Sequence, residues 1–349
     1  MSNPYVPVTI TNSESTATPT NFQQMINVDM SPYSSVTKTD LSNCYWSSDT
    51  AGANVLDSWR ETAASQTGTM TWWVNLGTNT VPANGTLKIY LQIPSTSQLN
   101  NTTTGEAPQL SGTYAEYDNG ANVFLYYNVN PTSTTGWTIA GTAGQVSSAP
   151  SGSHYNTTNA FYANSSNGDY LYTSVSSLTS NVIISFNVYT TGLGNLFFLE
   201  SSTGSGQMAR LDSRGGADYS GLATTSSWTN WTAPNGIDSS PDTWYKYDIS
   251  VSGTSAYAYI GSISNDIATY GTPTSSSAFT VSNNGDYMGL VGDALGSTYI
   301  TYWNGLIIRT YPPNGTMPTT SAGNLVSSDI MAPYSQYVAP RRIRRTISL

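Results

Sequence analysis

The chain of 349 residues is long enough for two domains of ordinary size, and its 38% apolar and 12% aromatic content can fill two cores although only 9% of residues are charged. Eleven Lys and Arg face 20 Asp and Glu, and four of the Arg (Arg341, Arg342, Arg344, Arg345) stand in the last nine residues, so residues 1–340 hold 7 basic against 20 acidic side chains, net −13. This excludes a disordered chain and a body that attracts nucleic acid, and it leaves only the basic tail for any polyanion contact.

Long runs of Ser, Thr, Gly and Asn between β-branched and aromatic stretches predict an all-β protein. In chain order, "YVPVTIT" sets Val6, Val8 and Ile10 on one face. "TMTWWVNL" aligns Met70, Trp72, Val74 and Leu76, and "LKIYLQI" aligns Leu87, Ile89, Leu91 and Ile93; the intervening "VPANGT" predicts that the two form a β-hairpin. Residues 94–113 read as a long loop, and the polar stretch 142–159 places a domain boundary between about 130 and 155. Beyond it, "NVIISFNVYT" aligns Val182, Ile184, Phe186 and Val188. "WYKYDISVSG" aligns Tyr245, Tyr247, Ile249 and Val251 and returns through "TSAYAYIGS" as a hairpin. "YITYWNGLIIRTY" is the last strand, closed by Pro312-Pro313, and the Pro-, Ser- and Thr-rich remainder predicts an extended arm lying on another subunit. "NGDY" occurs twice, at 167–170 and 284–287, each time before a strand-like run.

Residues 6–29, 41–46 ("LSNCYW"), 71–93 and 107–129 ("APQLSGTYAEYDNGANVFLYYNV") resemble the archaeal branch of the domain of unknown function numbered 2341. The last of these segments resembles the family's closing signature. It is read as a turn at Asp118-Asn119-Gly120 with positive φ at Gly120, its aromatics serving as core and interdomain packing. The region 155–315 resembles a concanavalin A-like, laminin-G-type sandwich, through "YLYTSVSSLTSNVIISFNVYTTGLGNLFFLES", "WYKYDISVSGTSAYAYI" and "YITYWNGLIIRTYPPNGTMP". The expected architecture is therefore two antiparallel β-sandwich, jelly-roll-like domains: 1–135, a linker at 136–155, 156–315, and an arm at 316–349 with a basic end.

Little in the chain points to catalysis. The lone His154, in a Ser-Gly-Ser stretch, rules against a Ser-His-Asp triad or a His-rich metal site and is given no role. Phosphate loops, Rossmann fingerprints, CxxC pairs and EF-hand spacing are missing, so no cofactor or metal is expected. A single cysteine, Cys44, cannot form an internal disulfide and reads as a small buried hydrophobe. Of the acids, Glu200 and Asp212 are the best remaining candidates for a glycosidase pair, but surface or turn roles are the reading preferred for both.

Arg214, Tyr219, Trp228 and Trp231 lie in a loop-rich stretch whose aromatic faces suit pyranose rings, the alternative being that the two Trp cap the core. Sequons stand at Asn84, Asn100, Asn101, Asn156, Asn164, Asn230 and Asn314. The tail "RRIRRTISL" combines Arg341, Arg342, Arg344 and Arg345 with Ile343 and Ile347, a pattern suited to strand addition on an acidic neighbour. No apolar run approaches the roughly 18 to 20 residues of a membrane span, and "MSNPYVPVTI" shows no export signal.

The expectation is a non-enzymatic structural or attachment protein on a virion surface, as a capsid, turret, spike or fibre component of an archaeal virus. Its partners would be copies of itself, other structural proteins of the particle and host-surface glycans. A secreted archaeal filament or surface-layer subunit, and a free lectin module, are the alternatives.

Overall fold

The computed structural model describes residues 3–62, 64–96, 119–155, 157–164, 169–175, 181–191, 193–202, 205–212, 219–224, 241–252, 255–262, 279–280, 287–291 and 299–327; the strands within 193–224 and 255–280 are described by backbone alone. The strands of the N-terminal part are β1 (Tyr5–Asn12), β2 (Gln23–Asp29), β3 (Tyr45–Ser47), β4 (Val55–Leu56), β5 (Ser58–Arg60), β6 (Thr69–Asn75) and β7 (Gly85–Gln92). One helical turn, α1 (Gly120–Val123), leads into β8 (Tyr126–Asn128), β9 (Thr138–Ala140), β10 (Ala143–Val146), β11 (Ala160–Asn164), β12 (Tyr170–Ser174) and β13 (Val182–Thr190). There follow β14 (Leu193–Ser202), β15 (Ser205–Asp212), β16 (Tyr219–Thr224), β17 (Thr243–Ser252), β18 (Ser255–Ser262), β19 (Phe279–Thr280), β20 (Tyr287–Val291), β21 (Ile300–Thr310) and β22 (Thr319–Ala322).

The fold is all-β and antiparallel, with sheets packed in sandwich fashion. In the first sandwich a five-stranded sheet, β22-β1-β7-β3-β4, faces a three-stranded sheet, β2-β6-β5. The alternating residues predicted to point inward do so: Val6, Val8, Ile10, Met70, Trp72, Val74, Ile89 and Leu91 meet in one core with Trp46 and Cys44.

The expected hairpin is not formed. β6 pairs with β2 and β5, whereas β7 pairs with β1 and β3. The connection is held over the core instead of turning tightly. Leu76 and Val81 are fully buried in it, and Val81 exchanges hydrogen bonds with Thr18, its N–H donating to Oγ1 at 2.8 Å and its carbonyl accepting from the Thr18 N–H at 3.1 Å.

The second sandwich sets the sheet β10-β11-β21-β13-β17-β18-β19 against β16-β15-β14-β20-β12-β9. Val182, Ile184, Phe186 and Val188 on β13 and Tyr245, Tyr247 and Ile249 on β17 form its core with Trp303 and Ile308. The β17–β18 hairpin forms as expected, with Ser252 opposite Ser255. The Tyr of each "NGDY" copy, Tyr170 and Tyr287, opens a strand, β12 and β20, and those strands pair antiparallel. The 11 residues of β21 serve two short strands on one edge, β11 at 300–303 and β8 at 306–308, with β13 along the other edge.

Three features depart from the expected division. Residues 136–155 are not a plain linker: β9 and β10 join opposite sheets of the second sandwich. β8, expected in the first domain, belongs to the second.

The chain beyond β21 also returns to its own first sandwich, where β22 pairs with β1 and Tyr5 bridges to Val326. The polar sequence "TTSA" becomes a strand because β1 offers an open ladder edge beside it. Hence residues 316–327 lie on their own body and not on another subunit; Arg341, Arg342, Ile343, Arg344, Arg345 and Ile347 lie outside the described residues.

Candidate functional site between the two sandwiches

The outer face of β2-β6-β5 carries Met25, Trp73 and Trp59 side by side, since Met25 and Trp59 are both register partners of Trp73. Trp59 and Trp73 are buried although they point away from the first core, because the outer face of the second sandwich covers them. Phe124, Tyr127, Tyr155 and Ile307 complete this aromatic layer. Trp59 meets Phe124, Tyr127 and Tyr155 edge-on at 5.5, 5.6 and 5.9 Å. Of the described aromatics of the 114–127 segment, Phe124 and Tyr127 are thus interdomain packing and Tyr126 packs against the core of the second sandwich, the two roles the sequence suggested.

Gly120 is not in the positive-φ region. It opens α1, and its bareness matters for a different reason: a Cβ there would come within 2.2 Å of the Tyr127 ring.

At the edge of the aromatic layer is a buried ionic cluster. Glu61 follows β5 and is fixed by its own N–H, which donates to the Thr71 carbonyl at 2.9 Å. Its Oε2 accepts from the Trp73 indole N–H at 2.8 Å, and its Oε1 lies 3.0 Å from His154 Nε2 and 3.6 Å from Lys246 Nζ. Arg309 and Asp248 pair at 3.5 Å, and the Arg309 guanidinium lies 4.9 Å from the centre of the Trp73 ring.

Alternation on β17 explains the placement: Tyr245, Tyr247 and Ile249 fill the second core, so Lys246, Asp248 and Ser250 must face the first sandwich. On β13, next to them, Asn187 faces the same way opposite Lys246, and Ser185 opposite Asp248.

The charges set the protonation. Burial pushes the Glu61 carboxyl up, but the Lys246 ammonium, the hydrogen bond and charge of His154 and the Trp73 N–H outweigh it and hold Glu61 at about 2. Burial and the Glu61 charge push the Tyr155 phenol well above its ordinary range. The cluster thus couples an ionised carboxylate of the first sandwich to cations of the second inside a dry aromatic interface. His154, given no role from sequence, is part of it.

The glycan-site expectation falls mostly outside the described residues, where Arg214, Trp228 and Trp231 lie; Tyr219 opens β16 on the edge of its sheet, described by backbone only. Of the sequons, Asn100, Asn101, Asn156 and Asn230 also lie outside. Asn84 and Asn314 are exposed at left-handed turns with φ of 48°, and Asn164 ends β11 half-buried. The Asn314 amide donates to Glu14 at 3.0 Å.

Glu200 and Asp212 are not a catalytic pair. Asp212 is opposite Leu193, so Glu200 stands seven residues farther along β14, roughly 20 Å away at strand rise and beyond the carboxylate spacing of either glycosidase geometry. Among the described residues there is no group of His, Cys, Asp and Glu able to hold a metal ion, and no helix is long and apolar enough to cross a membrane.

Glu61, Lys246, Asp248 and Arg309 were missed by sequence reasoning, which read β17 only for the residues of its core face. The available signal was the scarcity of charge: a Lys and an Asp in mid-strand stand out in a chain with so few charged residues.

No family model matches the chain. It is 30% identical over 359 aligned residues to Uncharacterized protein 562 of Sulfolobus islandicus rod-shaped virus 1, an alignment that takes in 92% of this chain and 59% of that protein. The chain thus spans about three-fifths of that relative's length. Similar solved structures include the carbohydrate esterase of Shiga toxin-encoding bacteriophage phi24B, at 13% identity and a TM-score of 0.35 over 54% of this chain and 98% of that one. Another is a glycosyl hydrolase family 16 protein of Mycobacterium smegmatis, at 10% identity and a TM-score of 0.29 over 52% and 96%. At such scores these likenesses carry no argument about chemistry.

Proposed function

We propose that the chain is a non-enzymatic structural component of an archaeal virus particle, displayed at the virion surface. The observation that carries this reading is the 30% identity, across 92% of the chain, to a protein of a rod-shaped archaeal virus. The fold is compatible with it. Two sandwiches fused through a buried aromatic and ionic layer, with the chain passing from the first to the second and back, make a stiff body without a disulfide.

In the finer version the N-terminal region is the DUF2341-like module and the second sandwich the concanavalin A-like one. The residues Arg214, Tyr219, Trp228 and Trp231 bind host-surface glycans, and the basic tail from Arg341 to Ile347 contacts neighbouring subunits. Peptide mass spectrometry and antibody labelling of purified particles test the location: signal confined to host cytoplasm or membranes would overturn it. A glycan array with the Trp228→Ala/Trp231→Ala variant tests the attachment role. Lost binding at unchanged melting temperature is expected, whereas unchanged binding would remove the site from those two residues.

A further inference from the structure

We propose that Lys246 and Asn187 are joined side chain to side chain by an amide bond formed autocatalytically in the buried interface, with Glu61 carrying the proton. Lys246 and Asn187 are register partners on adjacent strands, their side chains on the same face, which sets their Cβ atoms about 5 Å apart. Both are buried, at 1% and 0% exposure. The Lys246 amine has no hydrogen-bond partner there, and neither does the Asn187 carbonyl oxygen. A buried, unbonded primary amine and a buried, unbonded amide carbonyl are costly singly, and on register-paired positions of adjacent strands they are a nucleophile and an electrophile.

The surroundings favour the reaction. The Glu61 carboxylate is 3.6 Å from the amine, while Asp248, the next acid on that strand face, is occupied by Arg309. His154 and Trp73 hold Glu61 from its other sides. Asn187 is itself aimed: its Nδ2 donates to Asn304 Oδ1 at 3.1 Å, and β13 breaks register with β21 between Ser185 and Asn187. Room for its amide comes from Gly305, at φ +69°, where a Cβ would stand 2.2 Å from Asn187 Nδ2. The aromatic layer of Trp59, Tyr127 and Tyr155 shields the group from competing water.

The steps balance without any oxidant or added reactant. Lys246 gives one proton to Glu61; the freed lone pair attacks Cγ of Asn187 and forms the new N–C bond. The Cγ–Nδ2 bond then breaks as Glu61 protonates the departing nitrogen, and the surplus proton on the new amide nitrogen leaves with ammonia as ammonium. The bond would cross-link β13 and β17 within the second sandwich, and the inference holds whether or not the chain is displayed on a particle.

Intact mass spectrometry of the full purified chain decides it. A mass about 17 Da below that of the sequence, after allowing for the initiator methionine, is expected, with a proteolytic fragment joining the Lys246 and Asn187 peptides. Asn187→Ala, Lys246→Arg and Glu61→Gln should each restore the sequence mass. A wild-type mass equal to the sequence overturns the proposal, and this reading does not depend on any variant folding. A loss of about 18 Da with Lys246 joined to Glu61 overturns the acceptor assignment, and a bond that still forms in Glu61→Gln overturns the proton-carrying role.

Discussion

Removing β22 should cost the first sandwich most of its stability, although β22 lies more than 200 residues beyond the rest of that sandwich in sequence. Ending the chain after Gly315 deletes the four-pair ladder with β1 and three further backbone bonds: Gly323 N–H to Pro7 at 2.8 Å, and the reciprocal pair between Tyr5 and Val326 at 3.0 and 2.8 Å. It also removes one acceptor from each of two buried side chains, Gly323 from the Tyr33 hydroxyl (2.6 Å) and Pro318 from the Gln24 amide (2.9 Å). Met317, Ala322 and Leu325 leave the core surface as well. At about 1 kcal/mol for each hydrogen bond outside the ladder and about 1 kcal/mol for each partly buried apolar side chain, the loss is roughly 5 to 8 kcal/mol, with ladder bonds largely replaced by water. That is the size of a whole domain's stability. The control is a chain ending after Ser327, which keeps β22 and removes the basic tail. In chemical denaturation the Ser327 truncation should match the full chain, and the Gly315 truncation should unfold at far lower denaturant and aggregate through the bared β1 edge. Equal midpoints for the two truncations would refute the reasoning.

In an Asn187→Ala background, where Lys246 remains an ammonium, Glu61 at about 2 against an ordinary 4.5 should contribute about 3 kcal/mol, fully present above pH 4.5 and lost as pH falls through 2. Denaturation at a series of pH values checks this, since adding Glu61→Gln should flatten the curve over that window. Gly120→Ala should cost about 1 to 3 kcal/mol in thermal unfolding through the clash with Tyr127, and a neutral result would show that the Tyr127 ring yields freely. A fragment of residues 156–320 lacks β8, β9 and β10 and bares Lys246, Asp248 and Arg309, so circular dichroism should show no cooperative transition; a sharp one would show that the second sandwich does not need those strands.

Strands that bury one face were legible, because alternation in "VPVTI" or "NVIISFNV" needs only the period of two. The sequence could not show that the opposite face of β13 and β17 is buried too: Ser185, Asn187, Lys246 and Asp248 are what a solvated face would carry, and only a second sandwich on top makes them interior. Short edge strands were equally hidden. "TIA", "AGQV" and "TTSA" are too short or too small-chained to show a period, and each is a strand because a longer neighbour offers it hydrogen bonds. The hairpin expected between β6 and β7 failed on Leu76 and Val81, whose burial carries the chain across the core.

The β1–β22 pairing also fixes how the body would answer a pull. The strands are antiparallel, and Tyr5 and Val326 bridge at one end of the ladder, so the two chain directions leave the first sandwich together from neighbouring points. Tension applied through both would load the hydrogen bonds one after another, as in a zipper, and not all at once in shear. The first event under load would be β22 peeling from β1, ahead of any separation at the buried layer between the sandwiches.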